Sequence, residues 1–534
     1  MSVDKRTQGM LTRRQLLSMV GKVAGGSAMY HTMTALGFAQ ASPYSGRVKL
    51  EGAPKGTTIL VLGAGIAGLV AAFELRNAGY QVRVLEYNNR AGGRAWTIRG
   101  GDDYTELGGY RQHCEFDKGL YINPGPWRIP YHHYGILDYA KRLKVPLEPF
   151  IQVNYNAYLH SSKAYGGVPQ RYRHVQTDYH GHIAELLSKA VNKNALDGVV
   201  THDDKDMLIE SLARFGALDK QGRYGASEEG SKRRGFDVAP GGGLMPAAKP
   251  SQPLAMKELL QSGLCHYLVE GNDQTHHSAI FQPVGGMFQI AQARYRQVID
   301  LVQFNAKVTR IEQGERGVTV SYTDTTAAGN VSQAKADYCV CTIPLSILSQ
   351  IEMNVGALMQ DAIDAVPYEA SVKVGLQFKR RFWEEDEQIY GGISYTDLPI
   401  SMVSYPSTGF GNAGKGVMLG GYVWGPNAYE FTSLEPKERV RLAVHYGSKI
   451  HPQYLKEFEN GVSVGWHRVP FTNGCFANWS DKARAQHYKN LCQIDGRIVL
   501  AGEHASLIPA WQEGAVLSAH DAISRLHAQI KAKA

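Results

Sequence analysis

A chain of 534 residues is too long for one hydrophobic core and implies two or three domains. Its 43% hydrophobic and 20% charged content is that of an ordinary soluble globular protein. The net charge of +8 is mild, and half of it comes from Lys5, Arg6, Arg13, Arg14 and Lys22 set against Asp4 alone, which leaves no case for a nucleic-acid partner.

The first segment reads as an export signal. Thr12-Arg13-Arg14-Gln15-Leu16-Leu17 resembles a twin-arginine motif. A weakly apolar stretch follows, broken by Lys22 and His31, and Ala39-Gln40-Ala41 has the small-x-small pattern of a cleavage site. A lysine inside makes it a poor transmembrane helix. The expectation is a signal over 1–41, absent from an exported, periplasmic or secreted protein with no stable membrane anchor.

From Thr58 to Glu86 the pattern is strand, glycine turn, helix, strand, acid. Ile59-Leu60-Val61-Leu62 suits a strand buried on both faces. Gly63-Ala64-Gly65-Ile66-Ala67-Gly68 is a G-x-G-x-x-G: Gly63 for the turn, Gly65 for close approach of a pyrophosphate, Gly68 for helix–strand packing. The spacing predicts a helix from about Ala67 to Ala78 that stops at Gly79 and points its N-terminus at phosphates. Glu86, about 20 residues on, stands where a carboxylate accepts from a ribose hydroxyl.

Arg90-Ala91-Gly92-Gly93-Arg94-Ala95 comes directly after the acid. With it, the sequence resembles the flavin amine oxidase superfamily, whose first Rossmann unit is followed by G-G-R. The resemblance makes Gly93 and Arg94 cofactor contacts, and Gly108 and Gly109 of Glu106-Leu107-Gly108-Gly109 two more. Leu120 to His133 contains Gly125-Pro126-Trp127-Arg128-Ile129-Pro130, similar to the segment of L-amino-acid oxidases whose arginine binds the substrate carboxylate. A planar guanidinium holds a carboxylate bidentately. Arg128 is assigned this role, with Arg111 as its rival.

Helical periodicity appears over His182 to Leu196, Asp203 to Leu218 and Leu254 to Ser262. The Gly/Pro/Lys-rich stretch between Gly225 and Pro253 reads as a loop, with Ser231-Lys232-Arg233-Arg234 as a solvated part of it. No catalytic residue is recognisable in this helical insertion. Phe281 to Met287 resembles the family's second G-G segment, and Val308 is a candidate for the adenine.

A strand with Lys373, followed by Phe382-Trp383, resembles the one whose lysine holds a water against the flavin. Tyr422 matches a substrate-pocket tyrosine. The end of the chain, Gly502-Glu503-His504 and then Trp511 to Val516, resembles the closing flavin motif. Gly502, Glu503, Ala515 and Val516 are expected at the cofactor and Trp511 at the substrate. Cys475 lies about where monoamine oxidase carries its flavin-linking cysteine, although L-amino-acid oxidases lack it; non-covalent FAD is the expectation. Cys339 and Cys341 read as ordinary strand residues. No metal is expected at His132-His133 or His276-His277, which lack a carboxylate or cysteine at ligand spacing.

The fold class expected is α/β: a discontinuous Rossmann-like FAD-binding domain, a mixed α+β substrate domain and the helical insertion. The FAD-binding pieces are 55–115, 275–345 and 490–530. The substrate pieces are 116–178 and 346–489, with the insertion at 179–274. The resemblance implies an L-amino-acid oxidase. Its small-molecule amino acid would lose the α-hydrogen as a hydride to the flavin, O2 would reoxidise the flavin to give hydrogen peroxide, and the imine would hydrolyse to a 2-oxo acid and ammonia. An amine oxidase for substrates without a carboxylate, an amino-acid 2-monooxygenase and a redox-silent FAD-binding module are the alternatives. A homo-oligomer is expected, with no residue marking its interface.

Overall fold

The strand Thr58–Leu62 lies inside a six-stranded sheet. The computed structural model describes residues 43–193, 195, 201–327 and 329–533; the segment expected to be an export signal, 1–41, lies outside them. The sheet order is Val302–Gln303, Gln81–Leu85, Thr58–Leu62, Tyr338–Cys341, Ile498–Leu500 and Ile494–Asp495. The first five run parallel, and only the last pair is antiparallel. Chain segments hundreds of residues apart thus build one sheet.

The unbroken apolar run has a physical cause. Alternate side chains leave opposite faces of a strand. Ile59 and Val61 pack with the helices Ile66–Ala78 and Gln512–Lys533. Leu60 and Leu62 pack with Val308, Ile311 and Val320 of a four-stranded sheet on the other side. Cys339 and Cys341 share that second face, and burial pushes the Cys341 thiol up to about 12. Such thiols are packing groups.

The second main sheet has seven strands in the order Gln170–Arg171, Tyr158–His160, Gly392–Thr396, Met402–Tyr405, Gly416–Trp424, Ser371–Phe378 and Phe458–Gly465. It is antiparallel except where Gly392–Thr396 meets Tyr158–His160. Every residue of Ser371–Phe378 is buried, Lys373 included.

The insertion is helical as its periodicity predicts, with helices Tyr172–Asn192, His202–Gly216 and Met256–Gln261. The stretch expected to be a loop holds a further helix, Glu228–Arg234, and a strand pair, Phe236–Val238 with Lys249–Pro250. Ser231 to Arg234 is therefore helical, which corrects the loop reading; Lys232 and Arg233 are exposed as expected, and Ser231 and Arg234 are buried. Ser227 caps the helix by accepting from Gly230 N, acids fill the first turn and bases the last. Arg234 is buried and pairs with Asp178 at 2.7 Å. Among the described residues no helix is long and apolar enough to cross a membrane.

Candidate active site

A cavity of ≈ 430 Å³ runs from the C-terminal ends of the parallel strands to the face of the seven-stranded sheet. Such strand ends are where open α/β sheets bind ligands. Glu86 and Val308 line one end, Gly63, Gly65, Gly93, Arg94, Gly502, Glu503 and Ala515 the middle, and Arg128, Tyr422 and Trp511 the other end.

The three glycines of the first turn differ in what surrounds them. A Cβ on Gly68 would stand 1.9 Å from the Gly63 carbonyl oxygen, so only glycine lets the helix lie against the turn. Gly63 has φ +101°, and its Cβ would meet Thr342 Oγ1 at 2.6 Å. A Cβ on Gly65 would meet nothing within 4 Å and would project into open space. Gly65 also begins the helix Ile66–Ala78, with no side-chain cap on its N-terminus. Glu86 is buried and accepts from Ala64 N at 2.6 Å and from Asn88 N at 2.8 Å. A carboxylate has about four lone-pair sites, so these bonds leave acceptor capacity.

Arg94 joins the two ends of the chain. Its guanidinium donates to Glu503 Oε1 at 2.6 Å and to the Cys475 carbonyl at 2.8 Å. Glu503 also accepts from Ala510 N at 3.2 Å. Nearby, both side-chain polar atoms of Gln512 are buried without a partner on the cavity wall.

Three expectations for this end are corrected. Gly108 and Gly109 are exposed, in the turn between strands Asp103–Thr105 and Arg111–His113. Their φ values of +100° and +85° explain the glycines as turn residues. Gly125 lies at the cavity instead, and its Cβ would stand 2.0 Å from the Arg94 carbonyl oxygen. Val516 faces the core beside Ala519 and Ile523, because neighbouring helix positions point about 100° apart and Ala515 already faces the cavity.

At the far end, Arg128 is half-buried against Trp127 and Trp511, 5.0 and 5.8 Å from their ring centres. Its Nη2 donates to His276 Nε2 at 2.6 Å, and its Nε has no hydrogen-bond partner. Burial lowers its pKa from the ordinary 12.5. The rival Arg111 is exposed and pairs with Asp103 at 3.2 Å, away from the cavity. Trp511 also meets His133 edge-on, with ring centres 4.9 Å apart.

Lys373 and Tyr422 are register partners on adjacent strands. The Lys373 ammonium lies 4.3 Å from the Tyr422 ring centre and 4.7 Å from that of Trp127. It donates to the Gly125 carbonyl, and to the Asn123 carbonyl at 3.4 Å. Burial pushes its pKa down to about 7, and the positive Arg128 adds to this. Burial holds the Tyr422 phenol well above its usual range, so it stays a donor. Burial likewise raises the Cys475 thiol, which lines the cavity as a neutral group.

The end of the insertion and the residues just after it reach further into the site than the sequence indicates. Glu270 and His276 line the cavity beside Gln152 and Tyr395. His276 Nδ1 meets the Glu270 carbonyl at 2.7 Å, so this ring nitrogen donates while Nε2 accepts from Arg128. No local motif marks these residues, because a 3₁₀ segment, Leu264–Asn272, and the turn after it carry them in. Among the described residues no group of three or more His, Cys, Asp or Glu is placed to hold a metal ion.

Residues 66–526 match the family described as flavin containing amine oxidoreductase. The chain belongs to that family. Among curated relatives of this flavin amine oxidoreductase is the putative L-amino-acid oxidase YobN of Bacillus subtilis (strain 168). It is 30% identical over 479 residues, covering 86% of this chain and 92% of that one. The L-amino-acid oxidase of Siganus canaliculatus is 28% identical over 478 residues, 88% of this chain and 85% of that one. In fold the chain resembles cyclohexylamine oxidase from Brevibacterium oxydans IH-35A, with TM-score 0.57, 16% identity, and 90% and 99% of the two chains covered. Putrescine oxidase bound to putrescine gives TM-score 0.56 at 18% identity, with 89% and 99% covered.

The cavity of this flavin amine oxidoreductase fits FAD. The empty space at Gly65, the uncapped helix end and the partnerless amide of Gln512 suit a long polar ligand with phosphates.

Proposed function

We propose that the protein oxidatively deaminates L-amino acids to 2-oxo acids, releasing ammonia and hydrogen peroxide. Arg128 carries this reading: a half-buried guanidinium whose Nε is buried as an unfilled donor, at the substrate end of a flavin cavity. Taking a cation out of water is costly unless an anion meets it. Glu270 and Asp273 bear on its charge from nearby, and the α-carboxylate is the anion that meets its open donor directly; the curated relatives named above are L-amino-acid oxidases by name.

Gly63, Ala64, Gly65, Gly68, Glu86, Gly93, Arg94, Val308, Gly502, Glu503 and Ala515 hold FAD or shape its cradle, with Gly125 in place of Gly108 and Gly109. Bound FAD supplies the two-electron redox chemistry, with O2 as final acceptor. Arg128 binds the carboxylate and Tyr422 donates to its second oxygen. Trp511 bounds the side-chain space. Aromatic walls exclude water and hold the amino acid in one orientation. Lys373, with a pKa of about 7, holds or releases a proton at Nζ during the reaction with O2. His276 cannot serve as a base while its Nε2 lone pair accepts from Arg128. FAD is held without a covalent bond, the Cys475 thiol being neutral.

Product analysis tests the reading. One 2-oxo acid and one hydrogen peroxide per O2 are expected from L-amino acids. An amide one carbon shorter, with carbon dioxide, would make the protein a monooxygenase. Export by the twin-arginine route is part of the same proposal, tested by replacing Arg13 and Arg14 with lysine; the enzyme should then stay in the cytoplasm.

A further inference from the structure

Arg128 fixes one end of a bound amino acid, and the rest of the cavity decides which side chain is accepted. That wall carries a carboxylate, Glu270, among tyrosines. Its negative charge bears on Arg128, Tyr172, Tyr267 and Tyr395. The rings of Tyr267 and Tyr395 stack 5.3 Å apart. Beside them Gln152 is only 4% exposed, and its Oε1 is buried without a hydrogen-bond donor. A carboxylate, a partnerless carbonyl oxygen and tyrosine rings share one property: each attracts a cation that donates hydrogen bonds.

We propose that Glu270 and Gln152 form a subsite for a cationic side chain, so that the preferred substrates are basic L-amino acids such as L-lysine and L-arginine. The proposal rests on the L-amino-acid oxidase reading and adds the substrate class. An apolar side chain placed there would leave Gln152 Oε1 unpaired. An acidic side chain would meet Glu270 as a like charge. A basic one brings a donor to Gln152 Oε1 and sets its positive charge in the field of Glu270, while the α-carboxylate takes Arg128. The two opposite charges in the cavity thus match the two ends of one molecule.

The test compares kcat/KM for L-lysine with that for L-norleucine, which has the same chain without the ammonium. In the holoenzyme L-lysine should be favoured at least about tenfold, the worth of a charge-assisted hydrogen bond. Glu270→Gln should collapse this ratio towards one. Glu270→Asp should restore part of it, and Glu270→Arg should raise L-glutamate relative to L-lysine. A purely structural Glu270 would lower all substrates alike and leave the ratio where it was. An unchanged ratio in Glu270→Gln, or L-norleucine favoured by the unaltered enzyme, overturns the proposal. Cadaverine, which is L-lysine without its carboxylate, tests the underlying reading separately. If it is oxidised as efficiently as L-lysine, the carboxylate clamp is wrong, whatever Glu270 does to the lysine ratio.

Discussion

Arg94 and Glu503, 409 residues apart, share a 2.6 Å hydrogen bond on the wall of the cavity. The pair ties the glycine segment after the first Rossmann unit to the motif that closes the chain. Both side chains are mostly buried, at 21% and 8% exposure. Removing one partner leaves the other charge buried and alone, at a cost of about 3–5 kcal/mol for fully buried pairs. Arg94→Met is expected to lower the thermal midpoint and to weaken FAD retention, read as flavin absorbance after dialysis. Unchanged colour and midpoint would remove Arg94 from the cofactor site.

Gly65 and Gly68 make a matched pair of tests. Gly68→Ala forces a methyl to within 1.9 Å of the Gly63 carbonyl oxygen, so the helix must shift and soluble protein should fall sharply. Gly65→Ala meets nothing in the protein within 4 Å. The variant should fold and bind FAD at least about tenfold more weakly, because its methyl occupies ligand space. Calorimetry with added FAD checks this, and equal affinity would move the pyrophosphate elsewhere.

Arg128→Ala should reduce kcat/KM for L-amino acids by about 30-fold or more, since losing one member of a desolvated charge pair costs about 2–5 kcal/mol. Steady-state peroxide assays read the change. Unaltered KM and kcat would refute the carboxylate clamp.

Lys373 gives the pH dependence. Its pKa falls from 10.5 to about 7 because burial disfavours the ammonium. Below about pH 7 both folded and unfolded chains hold the proton, and the folded state bears the full cost. Between about 7 and 10.5 only the unfolded chain stays protonated, so this group's share of stability rises with pH. Lys373→Met should therefore raise the thermal midpoint more at pH 6 than at pH 9. In stopped flow, the rate at which O2 restores the oxidised enzyme should lose an inflection near pH 7.

Much of the dinucleotide end was legible in the sequence because it is local. Strand, turn and helix lie within 30 residues, and Gly63 and Gly68 each answer to a steric need at their own position. Lys373 was legible through the resemblance of its strand to the family's, and that strand is buried at every position. Gly108 and Gly109 misled because a hairpin turn and a cofactor loop ask the same φ of glycine. Glu270, His276 and Gln152 were hidden for another reason. Their place in the cavity comes from how three separate segments, around 152, 270 and 276, pack together beside the seven-stranded sheet, which no local spacing encodes. The Ser231–Arg234 stretch misled in the same way: its charges read as solvated until Asp178 from another helix is placed beside Arg234.

The most direct test of the central claim is an anaerobic titration of the yellow holoenzyme with L-amino acids and with the corresponding decarboxylated amines. The account predicts loss of flavin colour with at least one L-amino acid, one 2-oxo acid formed per flavin, and little or no bleaching by the matching amine. Colour that withstands all twenty L-amino acids, or that fades equally with the amine, would contradict it.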